Sequence, residues 1–129
     1  MDESRLKSDL VIVLRRELRR AMVLRHENRP GISVGSPDLS NTWQKITTWL
    51  EIKYANPAVK KREAQHLVCQ ALAREGYCYY VIYYEATKTS ERRTVIIHPD
   101  HLDIGEPRVE TAGFSHLFVA GFIRRGFQP

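Results

Sequence analysis

Ile46-Thr47-Thr48-Trp49-Leu50-Glu51-Ile52-Lys53-Tyr54 is the stretch on which the reading of this chain turns. It is rich in Thr, Ile, Leu and Trp, the composition of a strand. Side chains two apart on a strand point to the same side. Leu50 and Ile52 therefore share a face turned toward a core, and Glu51 and Lys53 share the other, next to Trp49. The strand holds a carboxylate and an ammonium side by side. Glu-x-Lys is also the ordinary pattern of a solvated strand face, so its meaning depends on its surroundings.

Upstream, Ser36 to Ser40 reads as a short strand carrying Pro37-Asp38, and Asn41 to Lys45 as a polar turn. Asp38 precedes Glu51 by thirteen positions (51 − 38), a separation that a hairpin closes. Two carboxylates held close repel one another, and a hard divalent cation removes that penalty. Mg²⁺ prefers oxygen ligands, keeps several waters and binds one or two carboxylates together with a phosphate. A neighbouring lysine can orient or help deprotonate water, or stabilise charge on the phosphate. Asp38, Glu51 and Lys53 in this order point to metal-assisted hydrolysis of a phosphodiester. Pro-Asp alone is a common turn dipeptide, and the second one, Pro99-Asp100, has no Glu-x-Lys at a comparable distance after it.

Downstream, Asn56 can cap a helix and Pro57 suits its first position. Ala64, Leu67, Val68, Ala71 and Leu72 follow the spacing of one buried helical face, and Gly76 ends it. Gln65 falls about 20° from Leu72 and about 60° from Val68 on a 100° wheel. An amide at that margin either finds a partner on the site face or snorkels at the helix edge. Tyr77 to Glu85 is an aromatic, β-branched strand, Thr87 to Arg93 a charged hairpin loop, and Thr94 to His98 another strand. Toward the N-terminus, Ala21 to Glu27 alternates as a strand. Ser4 to about Arg16 places Leu6, Leu10, Val13 and Leu14 at helical spacing. In the tail, Phe114, Leu117, Phe118 and Phe122 fit a helix, while Phe118 to Ile123 also fits a strand. The order is αβββαββ, an α/β (α+β) arrangement with a mixed sheet of about five strands flanked by helices.

Gly35-Ser36-Pro37-Asp38-Leu39, then Trp49-Leu50-Glu51-Ile52-Lys53, then a helix carrying Gln65 and ending at Gly76, resembles the PD-(D/E)XK nuclease superfamily. Within it the pattern is similar to the VRR-NUC and archaeal Holliday junction resolvase-like nucleases. The likeness covers about Glu3 to Glu85, and its specificity lies in the order of short motifs. It implies a restriction-endonuclease-like core and an endonuclease acting on DNA, with branched DNA such as a Holliday junction as the implied substrate. Asp38 and Glu51 would ligate Mg²⁺ (Mn²⁺ substituting), together with the Ile52 carbonyl, and Lys53 would serve the attacking water. The resemblance further implies an acidic residue on the first helix. Glu3 fits it best, on the face of Leu6 and Leu10, with Asp9 and Glu17 as competitors; a helix-start carboxylate favoured by the dipole is the plainer account of Glu3.

The 129 residues fit one domain, 1–129, with a core over about 3–98 and an unassigned extension over about 99–129. A formal net charge of +5 and a pI of about 9.4 are compatible with an anionic partner such as nucleic acid. Lys60, Lys61 and Arg62, with Arg15 and Arg19, are candidate phosphate contacts, although each also reads as part of a solvated helix face. His98 and His101 flank Pro99-Asp100 and read as a turn with exposed histidines. Two cysteines, Cys69 and Cys78, are too few for a zinc site or a disulfide scaffold. No run approaches the ~20 apolar residues of a membrane span, and Met1 to Arg5 lacks a signal-peptide core. The expectation is a cytoplasmic protein with no membrane partner, and a homodimer would suit paired cuts on a junction. Two other readings keep the fold without the chemistry: a nucleic-acid-binding module, and a viral regulatory or adaptor protein that would expose an apolar patch around Phe114 to Phe127.

Overall fold

Leu50 and Ile52 are both fully buried, as the alternation of the third strand requires. The computed structural model describes residues 2–26, 35–56, 58–60 and 63–126. Six strands form one sheet in chain order: β1 (Met22–Arg25), β2 (Leu39–Trp43), β3 (Ile46–Ala55), β4 (Tyr77–Glu85), β5 (Arg92–Ile97) and β6 (Arg108–Ala112). Neighbours are antiparallel except β3 and β4, which run parallel. A parallel pair needs a crossover, and α2 (Glu63–Glu75) lies within it. The remaining helices are α1 (Glu3–Glu17) and α3 (His116–Arg124).

The two sheet faces are unlike. Leu6, Leu10 and Leu14 of α1, and Leu18 at its C-terminal cap, recur every fourth residue. With Val119, Phe122 and Ile123 of α3, they cover Leu39, Leu50, Ile52, Val81, Tyr83 and Ile96. Burying each such side chain contributes about 1.5–3 kcal/mol. On the opposite face Cys69 of α2 packs with Ala55, Cys78, Tyr80, Ile82, Val95 and Ile97. Glu51 and Lys53 have the same strand parity as Trp49 and Ala55, so they belong to this second face.

Several boundaries differ from the sequence reading. The second strand is Leu39–Trp43 rather than Ser36 to Ser40. The turn that follows is only Gln44-Lys45, both at positive φ (51° and 68°), the pattern of a two-residue hairpin. Regular α2 begins at Glu63, later than the Asn56-Pro57 start; Pro57, Lys61 and Arg62 lie outside the described residues. Its buried residues are Gln65, His66 and Cys69, whereas Leu67 is 62% exposed. The tail adds β6, an edge strand, and resolves Phe118 to Ile123 as helix. Phe114, Phe118 and Phe122 pack into or against the core, so no exposed aromatic patch forms from them; Phe127 lies outside the described residues. Cys69 and Cys78 are free and buried. No helix among the described residues is long and apolar enough to cross a membrane.

Gly35 is where the loop before β2 comes closest to α2. Its φ is +91°, and a Cβ there would meet Val68 Cγ2 at 3.0 Å, the Ala64 carbonyl at 3.1 Å and Gln65 Cα at 3.1 Å. Only glycine accepts both the backbone angle and the contact. Gly35→Ala is expected to destabilise the fold by about 1–3 kcal/mol, measured by urea unfolding. Wild-type stability in that variant would refute the close packing of this loop on α2.

Candidate active site

The hairpin β2–β3 brings Asp38 and Glu51 together, because Leu39 pairs with Leu50 and the residues just beyond meet next. Two hydrogen bonds cross between them. The Asp38 N–H donates to Glu51 Oε1 at 3.1 Å, and the Ile52 N–H donates to Asp38 Oδ2 at 2.9 Å. One oxygen of each carboxyl is thus fixed by backbone. The other oxygen of each faces an ammonium: Lys53 Nζ lies 3.2 Å from Glu51 Oε2, and Lys7 Nζ lies 2.9 Å from Asp38 Oδ1.

Gln65 completes one side. Its Oε1 accepts from Lys53 Nζ at 3.2 Å. The amide is itself buried on α2, with His66 and Cys69, and its partner is a site residue. Glu3 completes the other side. Its Oε2 accepts from the Tyr54 N–H at 3.3 Å, and its Oε1 lies 3.9 Å from Lys7 Nζ. Of the three acidic candidates on α1, Glu3 alone reaches the site; Asp9 pairs with Arg5 and Glu17 with Arg16 and Arg124. Side-chain exposure rises from 1% at Glu51 through 11% at Asp38 and Lys53 and 21% at Lys7 to 39% at Glu3. The site is therefore a wedge, closed at the sheet and open at the start of α1. Beside it lies an open cleft of about 410 Å³ lined by Glu3, Lys53, Tyr54, Asn56, Ala58 and Lys60.

Burial pushes the Glu51 carboxyl up from 4.5 to about 9, and the negative charge of Asp38 and a hydrogen bond to its carboxyl add to the rise, while Lys53 opposes it. Among the described residues no group of three or more His, Cys, Asp or Glu gathers as a metal cage. The donor set here, Asp38 and Glu51, suits instead a hard cation that keeps most of its water. Of Ile52 the structure shows the N–H on Asp38 and a fully buried side chain.

Lys7 was not legible as a site residue, though its position one turn after Glu3 places both on one helix face. A second polar tether of α2 was also missed: His66 Nδ1 lies 2.9 Å from the Tyr80 hydroxyl, both buried. Among the basic candidates, Lys60 is exposed at the cleft. Arg15 is committed in part to the Val23 carbonyl at 2.8 Å, and Arg19 is exposed at the far end of α1. His98 accepts from the Asp100 N–H, capping a short 3-10 turn at Pro99–His101.

In three dimensions the chain resembles Hjc, a Holliday junction resolvase from the archaeal hyperthermophile Archaeoglobus fulgidus, over 92% of this chain and 97% of that one, with a TM-score of 0.59 and 12% sequence identity. The fold is of the restriction-endonuclease-like type, a mixed sheet flanked by helices. No family model matches the sequence, and no curated protein matches it significantly. On this scaffold, Asp38, Glu51 and Lys53 meet at the β2–β3 hairpin, with Glu3 supplied by α1 and Gln65 by α2.

Proposed function

We propose that this chain is a divalent-cation-dependent endonuclease hydrolysing DNA phosphodiesters, with branched DNA of the Holliday-junction type as its substrate. The observation that carries the reading is the convergence of Asp38, Glu51, Lys53 and Gln65 in one wedge within hydrogen-bond reach of one another. Asp38 and Glu51 would hold Mg²⁺, or Mn²⁺ in its place, with the Ile52 carbonyl as the further ligand implied by the family pattern. Such a cation supplies Lewis acidity toward a phosphoryl oxygen and a lowered water pKa.

The protein's own groups do the rest. An ammonium carries three donors, and Lys53 directs two of them at Glu51 and Gln65, which leaves one for a water or a phosphate oxygen. Gln65 fixes the direction of that third donor. The open end of the wedge and the adjoining cleft with Lys60 give the backbone of a nucleic acid its approach. Arg15 and Arg19 lie twelve and sixteen positions after Glu3 (15 − 3 and 19 − 3). At 1.5 Å per helical residue Arg15 is roughly 18 Å from Glu3 along the axis, so phosphates met there would belong to duplex beyond the cut. A homodimer would place two such wedges on one junction.

The test is cleavage of labelled linear, nicked, flapped and four-way DNAs and of an RNA control, each with Mg²⁺, Mn²⁺ or EDTA. Metal-dependent cutting of four-way DNA above the others, absent in Asp38→Asn, is the expected result. Salt-sensitive binding without cutting on every substrate would replace the nuclease by a binding module.

A further inference from the structure

We propose that Lys7 is a displaceable counter-ion: its ammonium holds Asp38 until a divalent cation takes the same oxygen, and it thereby sets the affinity of the site for that cation. The inference rests on reading Asp38 and Glu51 as the cation's ligands. Asp38 Oδ2 is already bound by the Ile52 N–H, so Oδ1 is the oxygen left for a cation, and Oδ1 is the one that faces Lys7 Nζ at 2.9 Å. An Mg²⁺ ion sits about 2.1 Å from its ligand oxygens. It would therefore lie within a few ångströms of Lys7 Nζ, where like charges repel. One of the two must leave.

Lys7 is the side chain built to move. Its four-carbon stem is partly exposed, at 21%, and Glu3 Oε1 stands 3.9 Å away as a second resting place at the open end of the wedge. Lys53 is the contrast: it is 11% exposed and tied to Gln65 as well as Glu51. Glu3 is itself anchored on the Tyr54 N–H, so the first turn of α1, and Lys7 with it, is fixed over Asp38. Lys7 is a positioning residue in this account, because it acts through Asp38.

The sign of the effect separates this role from a structural one. If Lys7 only oriented Asp38, removing it would loosen the ligand and weaken cation binding. If it competes, removing it strengthens binding. Mn²⁺ affinity is measured by titration calorimetry without DNA for wild type, Lys7→Met, Lys7→Arg and Asp38→Asn, with thermal unfolding of each in EDTA. Lys7→Met is expected to bind Mn²⁺ about twofold to fivefold more tightly than wild type, the range set by one partly exposed ion pair. It should also unfold at a lower temperature in EDTA, and Lys7→Arg, which keeps the charge, should bind no tighter than wild type. Equal or weaker Mn²⁺ binding by a folded Lys7→Met, with wild type binding normally, overturns the inference alone. Absence of Mn²⁺ binding in wild type and Lys7→Met alike overturns it together with the cation reading of the site.

Discussion

Lys53→Met is expected to lower single-turnover cleavage at saturating metal by about 10²–10⁴-fold, the usual contribution of a positioned proton-handling group, while DNA binding stays close to wild type. The argument is geometric. Lys53 Nζ is held from two sides, by Glu51 Oε2 and Gln65 Oε1, in a buried position. A group that only attracted DNA would gain nothing from such burial, because long-range attraction to phosphate works equally well from an exposed lysine. Methionine fills the space of the stem and removes the charge, so the fold should survive. A fall confined to DNA affinity, with an unchanged rate on bound substrate, would move Lys53 from the chemistry to the docking surface.

The parts of this molecule that were legible in the sequence are those governed by period alone. The alternation Leu50, Glu51, Ile52, Lys53 fixed both faces of β3, and Leu6, Leu10 and Leu14 of α1 follow helical spacing into the core. Asp38 and Glu51 could be paired because a hairpin is a local event. Misreading begins where an element packs on the site rather than on apolar core. In α2 the apolar-periodic residues Ala64, Leu67 and Ala71 are exposed, and Gln65 and His66 are buried, bonded to Lys53 and Tyr80. The amphipathic rule fails there because the sheet surface under the first turns of α2 is polar, as expected at a functional site.

Edges and long-range meetings were the other losses. Arg108-Val109-Glu110-Thr111-Ala112 is an edge strand with no fully buried residue, and only Val109 packs against the core, too little to mark it in the sequence. Lys7 comes to Asp38 through the docking of α1 on the sheet, which the bond from the Tyr54 N–H to Glu3 pins across fifty-one positions (54 − 3) that no local pattern links.

The same burial and crowding of carboxyls from which we infer a cation site should make the cation-free protein less stable than it could be. Glu51→Gln is expected to abolish metal-dependent cleavage, by at least about 10²-fold for loss of a metal-holding charge worth several kcal/mol. In EDTA the same variant should gain stability over wild type as pH rises. The folded-state pKa of Glu51 is raised from 4.5 to about 9, so between those values the folded protein keeps a proton that the unfolded chain has released. Stability contributed by this group is therefore full below about pH 4.5 and declines as pH climbs toward 9. Glutamine keeps the shape of the protonated carboxyl and does not titrate. The melting temperature of Glu51→Gln minus that of wild type should then grow steadily from pH 5 to pH 9. The gap should reach several degrees, in line with the ~1–4 kcal/mol found when a poorly compensated buried charge is replaced. Mn²⁺ should close the gap by stabilising wild type alone, since only wild type binds it in the folded state. A gap that stays flat with pH, or that shrinks, would show that Glu51 is ionised and satisfied in the cation-free fold, and that the electrostatic case for a cation at this wedge is wrong.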